Sequence, residues 1–493
     1  MLNDYPILTI LTFLPLVGCL LLAPFRKRPE VVRPIALGIG LLELALASWL
    51  YVTATSATTR LRSFFLLEDL PWIERFGIRY TLGLDGISLL MVILTAFITL
   101  VAMIVSWQSI KERVALHYLL ILVMETGIMG VFLSLDLFLF YLFWEVMLIP
   151  MFFLIGIWGH GRRIYSAVKF FLYTLAGSLL MLLAIIGLYL IHGAQSGTYT
   201  FALSSLLHTR IAPDMGCWLF AAFLLAFAIK VPLFPVHTWL PDAHTDAPTA
   251  GSVILAGLLL KTGAYGLIRF GYPLFPAAAK AATPIIFTLA VIGIIYGSWI
   301  AYAQKDMKRL VAYSSVGHMG FVALGIAAWT PVALSGAVLQ MVNHGVTTGA
   351  LFALVGMLDE RTDTREIAAY GGLWGKVPVF SFFFLLFAMA SAGLPGLNNF
   401  VGEFLVLTGS FRVTPLAVVF AFSGIVLSLV YTIRLVQELL FVEERQTLAL
   451  ADLSLREGGL LLVLALIAVY LGIHPAPLLE LIKVPVTLLT GNP

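Results

Sequence analysis

Ten ionisable side chains in this chain sit within long apolar runs, where lipid would not tolerate them: Glu43, Glu125, Glu145, Lys230, Lys261, His318, His344, Glu403, Arg434 and Glu438. An eleventh, His237, follows a proline-rich interruption. Lys, His and Glu each take up and release a proton, so a file of them at membrane depth would carry protons without an organic substrate. A charge near mid-bilayer costs about 2.5–3.5 kcal/mol on insertion scales, which makes such residues functional by default. Glu145, Lys230, Lys261 and Glu403 lie deepest and include both signs. His318 and His344 could be structural hydrogen-bond donors, and the reading favours proton transfer. Arg434 and Glu438, four residues apart, read as an ordinary intrahelical pair. Glu43 and Glu125 could equally lock helices together by hydrogen bonds, and Glu125 is assigned that structural role.

Two of the runs are broken beside these charges. Ile229-Lys230-Val231-Pro232-Leu233-Phe234-Pro235-Val236-His237 places two prolines after Lys230. Each proline removes a backbone donor and clashes with the preceding turn. Ser391-Ala392-Gly393-Leu394-Pro395-Gly396-Leu397-Asn398-Asn399 interrupts a second run before Glu403. Unwound backbone at membrane depth is tolerated only where protein or a wet cavity surrounds it. Two interrupted helices, five spans apart, fit an inverted-repeat transporter with ion sites at its breaks.

The elements that must hold these residues are membrane helices. The chain has 493 residues, 61% hydrophobic and 11% charged, and a mean hydropathy of +1.01. A soluble domain has about 45–50% apolar and about 25% charged residues. Fourteen spans are expected, near 5–24, 34–53, 84–106, 114–133, 135–157, 165–191, 215–239, 248–270, 283–303, 309–328, 331–357, 377–411, 415–440 and 457–473. This predicts an all-α polytopic membrane protein, with repeats over spans four to eight and nine to thirteen. The corresponding regions are 1–113, 114–270, 271–440 and 441–493. A small surface hairpin is expected within 54–83, where 77–83 alternates as a strand does. The loops 358–376 and 441–456 are polar and helix-compatible.

Loop charge sets the orientation. Seventeen Lys and Arg fall on the side of the first loop, beginning with Arg26, Lys27, Arg28 and Arg33 and including Lys308. Nine, among them Arg60, Arg62, Arg79 and Arg269, fall on the other. The first loop is therefore expected in the cytoplasm and both termini outside. No cleavable signal peptide is evident, because the first apolar run precedes its basic cluster. A net charge of +3 gives no basis for nucleic-acid binding. Cys19 and Cys217 form no metal-binding spacing. Neither a G-x-G-x-x-G sequence nor a P-loop is present. No metal, nucleotide or redox centre is expected on this chain.

The string from Phe227 through Lys230-Val231-Pro232 to Trp239-Leu240-Pro241-Asp242-Ala243-His244 resembles the antiporter-like subunits of respiratory complex I. So do Ala247-Pro248-Thr249-Ala250-Gly251 to Lys261, Asp306-Met307-Lys308-Arg309 to His318, and Gly393-Leu394-Pro395-Gly396 to Glu403. Nearly the whole chain is covered. Glu403, where a paralogue carries Lys, points to the subunit M (mitochondrial subunit 4) type, as does Phe143-Trp144-Glu145 followed by Ile149-Pro150. So does the lack of a long lateral helix, since the chain is expected to end after its fourteenth span. The resemblance implies that Glu145 pairs with Lys230 and that Lys261, His318, His344 and Glu403 continue a hydrated axis. His237 is placed on the same path. It implies a bacterial cytoplasmic membrane and neighbouring membrane-arm subunits, including other antiporter-like ones. NADH, FMN, iron–sulfur clusters and quinone are expected in partner subunits, and none on this chain. The alternatives are a multisubunit cation/proton antiporter, a ferredoxin-fed relative, or a membrane-bound hydrogenase. A stand-alone solute transporter is disfavoured, because no Ser, Thr, Asn and aromatic cluster marks a solute pocket.

Overall fold

The computed structural model describes residues 5–55, 63–445 and 450–491. Among the described residues, thirteen helices are long and apolar enough to cross a membrane, the first being Ile7–Phe25 and the last Leu455–Ile473. A further crossing is split into Pro378–Ser391 and Asn398–Phe411, which completes the fourteen expected. Polar residues begin many of them. Asp85, Asp136, Asp306 and Thr330 each accept a backbone N–H in the first turn of the third, fifth, tenth and eleventh spans. Ser454 and Glu457 form a reciprocal capping box at the fourteenth.

Composition decides which spans form the centre. The eighth (Thr249–Leu274) and eleventh (Pro331–Thr362) are buried along their whole apolar length, and the tenth (Met307–Ala328) nearly so. These are the spans with polar and ionisable residues on several faces. The second (Pro29–Ala54), sixth (Arg163–Ser196) and thirteenth (Pro415–Phe441) leave broad apolar faces exposed, as lipid-facing helices must.

The structure departs from the expected map at particular places. The seventh span ends as a helix at Lys230, turns through 231–238 and resumes as Trp239–Asp246. The indole N–H of Trp239 donates to the Ile229 carbonyl (2.9 Å), fastening the two sides of this break. The fifth span is interrupted at Met147, between Leu137–Val146 and Leu148–Trp158. The eighth contains two π-helical turns, Leu255–Leu259 and Leu267–Gly271. Lys308 and Arg269, read as loop charges, are buried within the tenth and eighth spans. The chain also continues past its fourteenth span into the helix Ala476–Thr490, which packs on the third and eleventh spans. The expected end at that span is therefore corrected. The hairpin is present, with Leu66–Ile73 antiparallel to Ile78–Leu84. Of the expected 358–376 loop, residues 358–362 belong to the eleventh span, and the rest holds short turns at Ile367–Ala369 and Leu373–Lys376. In 441–456, residues 446–449 lie outside the described residues, as do Arg60 and Arg62.

Candidate functional site

The second break shows how backbone geometry positions an acid. Gly393 and Gly396 adopt φ of +78° and +93°, a region that side chains disfavour. The helix restarts at Asn398, whose side-chain N–H donates to the Asn343 carbonyl (3.1 Å). In return Asn343 donates to the Asn398 carbonyl (2.7 Å). Thr347 donates to Asn398 Oδ1 (3.0 Å). This clamp fixes the restarted helix against the eleventh span and aims Glu403, five residues on, inward.

Glu403 Oε1 lies 2.8 Å from His318 Nδ1 and accepts from Gln340 Nε2 at 3.0 Å. His318 Nε2 meets the Ser391 hydroxyl at 3.1 Å, on the other side of the break. The His318 and His344 rings lie 5.8 Å apart, edge to face. His344 Nδ1 is 2.7 Å from Lys261 Nζ. Lys261 follows the first π turn and also donates to the Ala256 carbonyl within it. Lys261, His344, His318 and Glu403 thus form one buried file, from the eighth span to the twelfth. All are at most 4% exposed.

The other half is arranged differently. Lys230 is fully buried, and its ammonium has no hydrogen-bond partner among the described residues. It rests over the rings of Trp144 (5.3 Å) and Phe170 (5.6 Å). Glu145 is half-buried with an equally unpartnered Oε1. No ion pair within 4 Å joins it to Lys230 among the described residues, whereas the resemblance implied a pair. His237 packs between the rings of Phe234 and Tyr296 with both ring nitrogens unpartnered. Gly263 brings the eighth span against this break, since a Cβ there would meet Lys230 Cβ at 2.9 Å.

The remaining candidates stay outside the file. Arg434 and Glu438 form the intrahelical pair (2.8 Å), joined by Arg445. Glu43 and Glu125 are buried neighbours on the second and fourth spans, and their carboxyl oxygens meet no strict hydrogen-bond geometry. Sequence reasoning passed over Gln340, Asn343 and Ser391, which look like ordinary polar residues until the helices meet. It also passed over Asp242, which binds Lys169 (2.6 Å) and Arg309 (3.6 Å) and so ties three spans at the first break. His244 is fully buried, stacked on Phe352 at 4.5 Å. The Pro241-Asp242-Ala243-His244 string was the available signal for both. Asp136 caps the fifth span, whose helix starts at Leu137 rather than at 135; there burial pushes its carboxyl up to about 6, against its bonds to backbone N–H groups and the charge of Arg79. Among the described residues, no three His, Cys, Asp or Glu are grouped to hold a metal ion.

The file consists of side chains that take up and release protons, held in hydrogen-bond or ring contact. The family described as "NADH:quinone oxidoreductase/Mrp antiporter, TM" matches residues 134–428. NADH-quinone oxidoreductase subunit M of Pseudomonas aeruginosa is 48% identical over 416 residues, covering 83% of this chain and 82% of that protein. A chain of respiratory complex I from Thermus thermophilus with bound NADH superposes with a TM-score of 0.87 at 32% identity, covering 98% of this chain and 99% of the other. A chain of the Mrp complex from a Dietzia species shares the fold, with a TM-score of 0.86 at 20% identity over 99% and 98% of the two chains. Both halves of the file fall within the matched region, and the identity spans most of both chains; this chain belongs to the NADH-quinone oxidoreductase subunit M family.

Proposed function

We propose that this chain is a proton-translocating membrane-arm subunit of NADH:quinone oxidoreductase, moving protons through Glu145, Lys230, Lys261, His344, His318 and Glu403. His237 is assigned to the same path, beside the first break. The observation that carries the reading is the file Lys261–His344–His318–Glu403, in which side chains that exchange protons stand within hydrogen-bond or ring contact. It joins four spans, the eighth, eleventh, tenth and twelfth. Electron transfer belongs to partner subunits holding NADH, FMN, iron–sulfur clusters and quinone, and this chain acts without a redox group. The membrane is the bacterial cytoplasmic one, with both termini on the outer side, as the loop charges argue. Regions 114–270 and 271–440 act as two inverted repeats, each contributing one broken helix.

In this mechanism, charge motion near Glu145 changes the field at Lys230, whose ammonium is held only by aromatic faces. Lys230 releases its proton toward Lys261, and the file passes it to Glu403. The cation/proton antiporter reading is less well supported, because the likeness to the Mrp chain is one of fold. The test is proton pumping and quinone reduction, measured side by side in vesicles carrying the assembled complex with Lys230→Ala, Glu145→Ala or Lys261→Ala. Both activities are expected to fall together. An intact Lys230→Ala or Lys261→Ala complex that pumps as the wild type does would overturn the reading.

A further inference from the structure

Lys261, Tyr265 and Arg269 recur every four residues along the eighth span, so they stack on one face of it. Lys261 belongs to the file described above; the other two do not. Tyr265 is fully buried, and its hydroxyl donates to the Phe132 carbonyl (2.8 Å) and lies 2.9 Å from Ser88 Oγ. Arg269 Nε donates to the same hydroxyl at 3.2 Å. Arg269 also forms a buried ion pair with Asp85, the residue that caps the third span. Its guanidinium is flanked by the rings of Tyr265 (5.3 Å) and Phe64 (5.7 Å).

Beyond this pair opens a cavity of about 630 Å³, lined by Asp69, Arg79, Thr81, Asp85 and Arg269 among others. It lies beside the 66–84 hairpin, on the side that the loop charges assign to the outside. The ion pair is therefore the floor of an outer cavity and the lid over the face that carries Lys261. Tyr265 and Ser88, in hydroxyl contact at 2.9 Å, stand beside the pair, and Asp85 accepts the Ser88 backbone N–H.

We propose that this face of the eighth span is a second proton outlet, closed by the Arg269–Asp85 ion pair. The inference rests on the relay reading of Lys261. When the pair opens, water from the outer cavity reaches Lys261, and the Lys261 ammonium gives a proton through it to the Tyr265 hydroxyl oxygen. The Tyr265 hydroxyl turns from the Phe132 carbonyl and passes its own proton to Ser88, and Ser88 passes its own through water to the Asp85 carboxylate. Neutral Asp85 then releases the proton to water in the outer cavity and recovers its charge, which draws Arg269 back. Lys261 is left neutral until the file refills it. No electrons move, and each hydroxyl ends with one proton. A leak that arose merely from loosening the third span against the eighth would persist when the Tyr265 hydroxyl is removed.

The experiment measures passive proton entry into proteoliposomes carrying the assembled complex, without an electron donor, using an enclosed pH-sensitive dye. Arg269→Met removes the lid's charge and is expected to raise proton entry several-fold over wild type. Adding Tyr265→Phe is expected to return it to the wild-type level. Wild-type permeability in an intact Arg269→Met complex overturns the proposal, and so does a leak that Tyr265→Phe leaves unchanged. If Arg269→Met does not assemble, Tyr265→Phe alone is measured under NADH-driven turnover. Fewer protons exported per NADH oxidised supports the outlet, and an unchanged ratio overturns it. Lys261→Ala alone separates the two readings. Undiminished pumping there removes the relay, whereas the leak measurements address only the outlet.

Discussion

Replacing Glu403 by Gln separates the two jobs that this side chain could have. Its Oε1 faces two partners, His318 Nδ1 at 2.8 Å and Gln340 Nε2 at 3.0 Å. A hydrogen bond to a charged group contributes about 1.5–3 kcal/mol, and a neutral one about 0.5–1.5. The amide keeps the shape and loses the charge, so the local loss over both bonds is about 2–3 kcal/mol. That is modest beside the packing of the eleventh span on both halves of the twelfth, and the complex should assemble. The chemical loss is larger. Removing a positioned acid–base group costs about 10²–10⁴ in rate, because an amide at this position does not take the proton from His318. NADH-driven quinone reduction and vesicle acidification should both drop by about a hundredfold or more, with assembled complex on native gels close to wild type. Glu403→Asp, which keeps the carboxylate one methylene further away, should recover part of the rate. An assembled Glu403→Gln complex with wild-type reduction and pumping would refute the reasoning outright.

The supporting structure gives three further predictions. Asn398→Ala deletes two side-chain hydrogen bonds at the second break, about 0.5–1.5 kcal/mol each, and should speed hydrogen exchange over residues 392–400; unchanged exchange would mean the clamp does not hold the break. Gly336→Ala places a methyl 2.6 Å from the Val406 backbone nitrogen, so the eleventh and twelfth spans must part at about 1–3 kcal/mol; the melting temperature of the extracted complex should fall, and a constant one would contradict the packing. Asp136 holds its proton up to about pH 6 when folded and only to about 3.9 when unfolded. The folded state thus binds the extra proton, and stability contributed at low pH is lost as pH rises through this window. Asp136→Asn keeps the cap acceptor and should flatten that slope in hydrogen exchange at 137–140; an unaltered slope would assign it to another group.

The second half of the site was more legible in the sequence than the first. Hydropathy located the spans because lipid demands long apolar runs. Gly393, Pro395 and Gly396 marked the second break because each disfavours helix for its own stereochemical reason. The residues that hold Glu403 were not legible. Gln340, Asn343 and Ser391 act across helices, and no local pattern reports which faces will meet. The same limit applies to charges near helix ends. Arg269 and Lys308 fall where a hydropathy trace leaves the membrane. Only packing reveals that one is bound to Asp85 and the other to the Ala247 carbonyl. The π turns of the eighth span, 255–259 and 267–271, gave no signal at all, since no residue in either is specific to a π turn.

The two halves of the site hold their charges in opposite ways, and this difference bears on the direction of transfer. An unpartnered buried polar group costs about 1–3 kcal/mol, more when charged. Glu145, Lys230 and His237 carry that cost together, at one break. The aromatic faces under Lys230 offset part of it, at about 0.5–2 kcal/mol, yet a ring face offers no lone pair to receive a proton. Lys230 is thus stabilised without being committed to an acceptor. Lys261, by contrast, faces a ring nitrogen at 2.7 Å; His344 and His318 are in ring contact, His318 is hydrogen-bonded to Glu403, and His344 Nε2 alone in the file meets no partner among the described residues. A weakly held donor followed by an oriented file favours transfer from Lys230 toward Glu403. Gly263 completes the argument. By letting the seventh and eighth spans touch at Lys230 Cβ and the Phe227 carbonyl, it leaves the interval between the two lysines to side-chain motion, which is faster than any movement of helices.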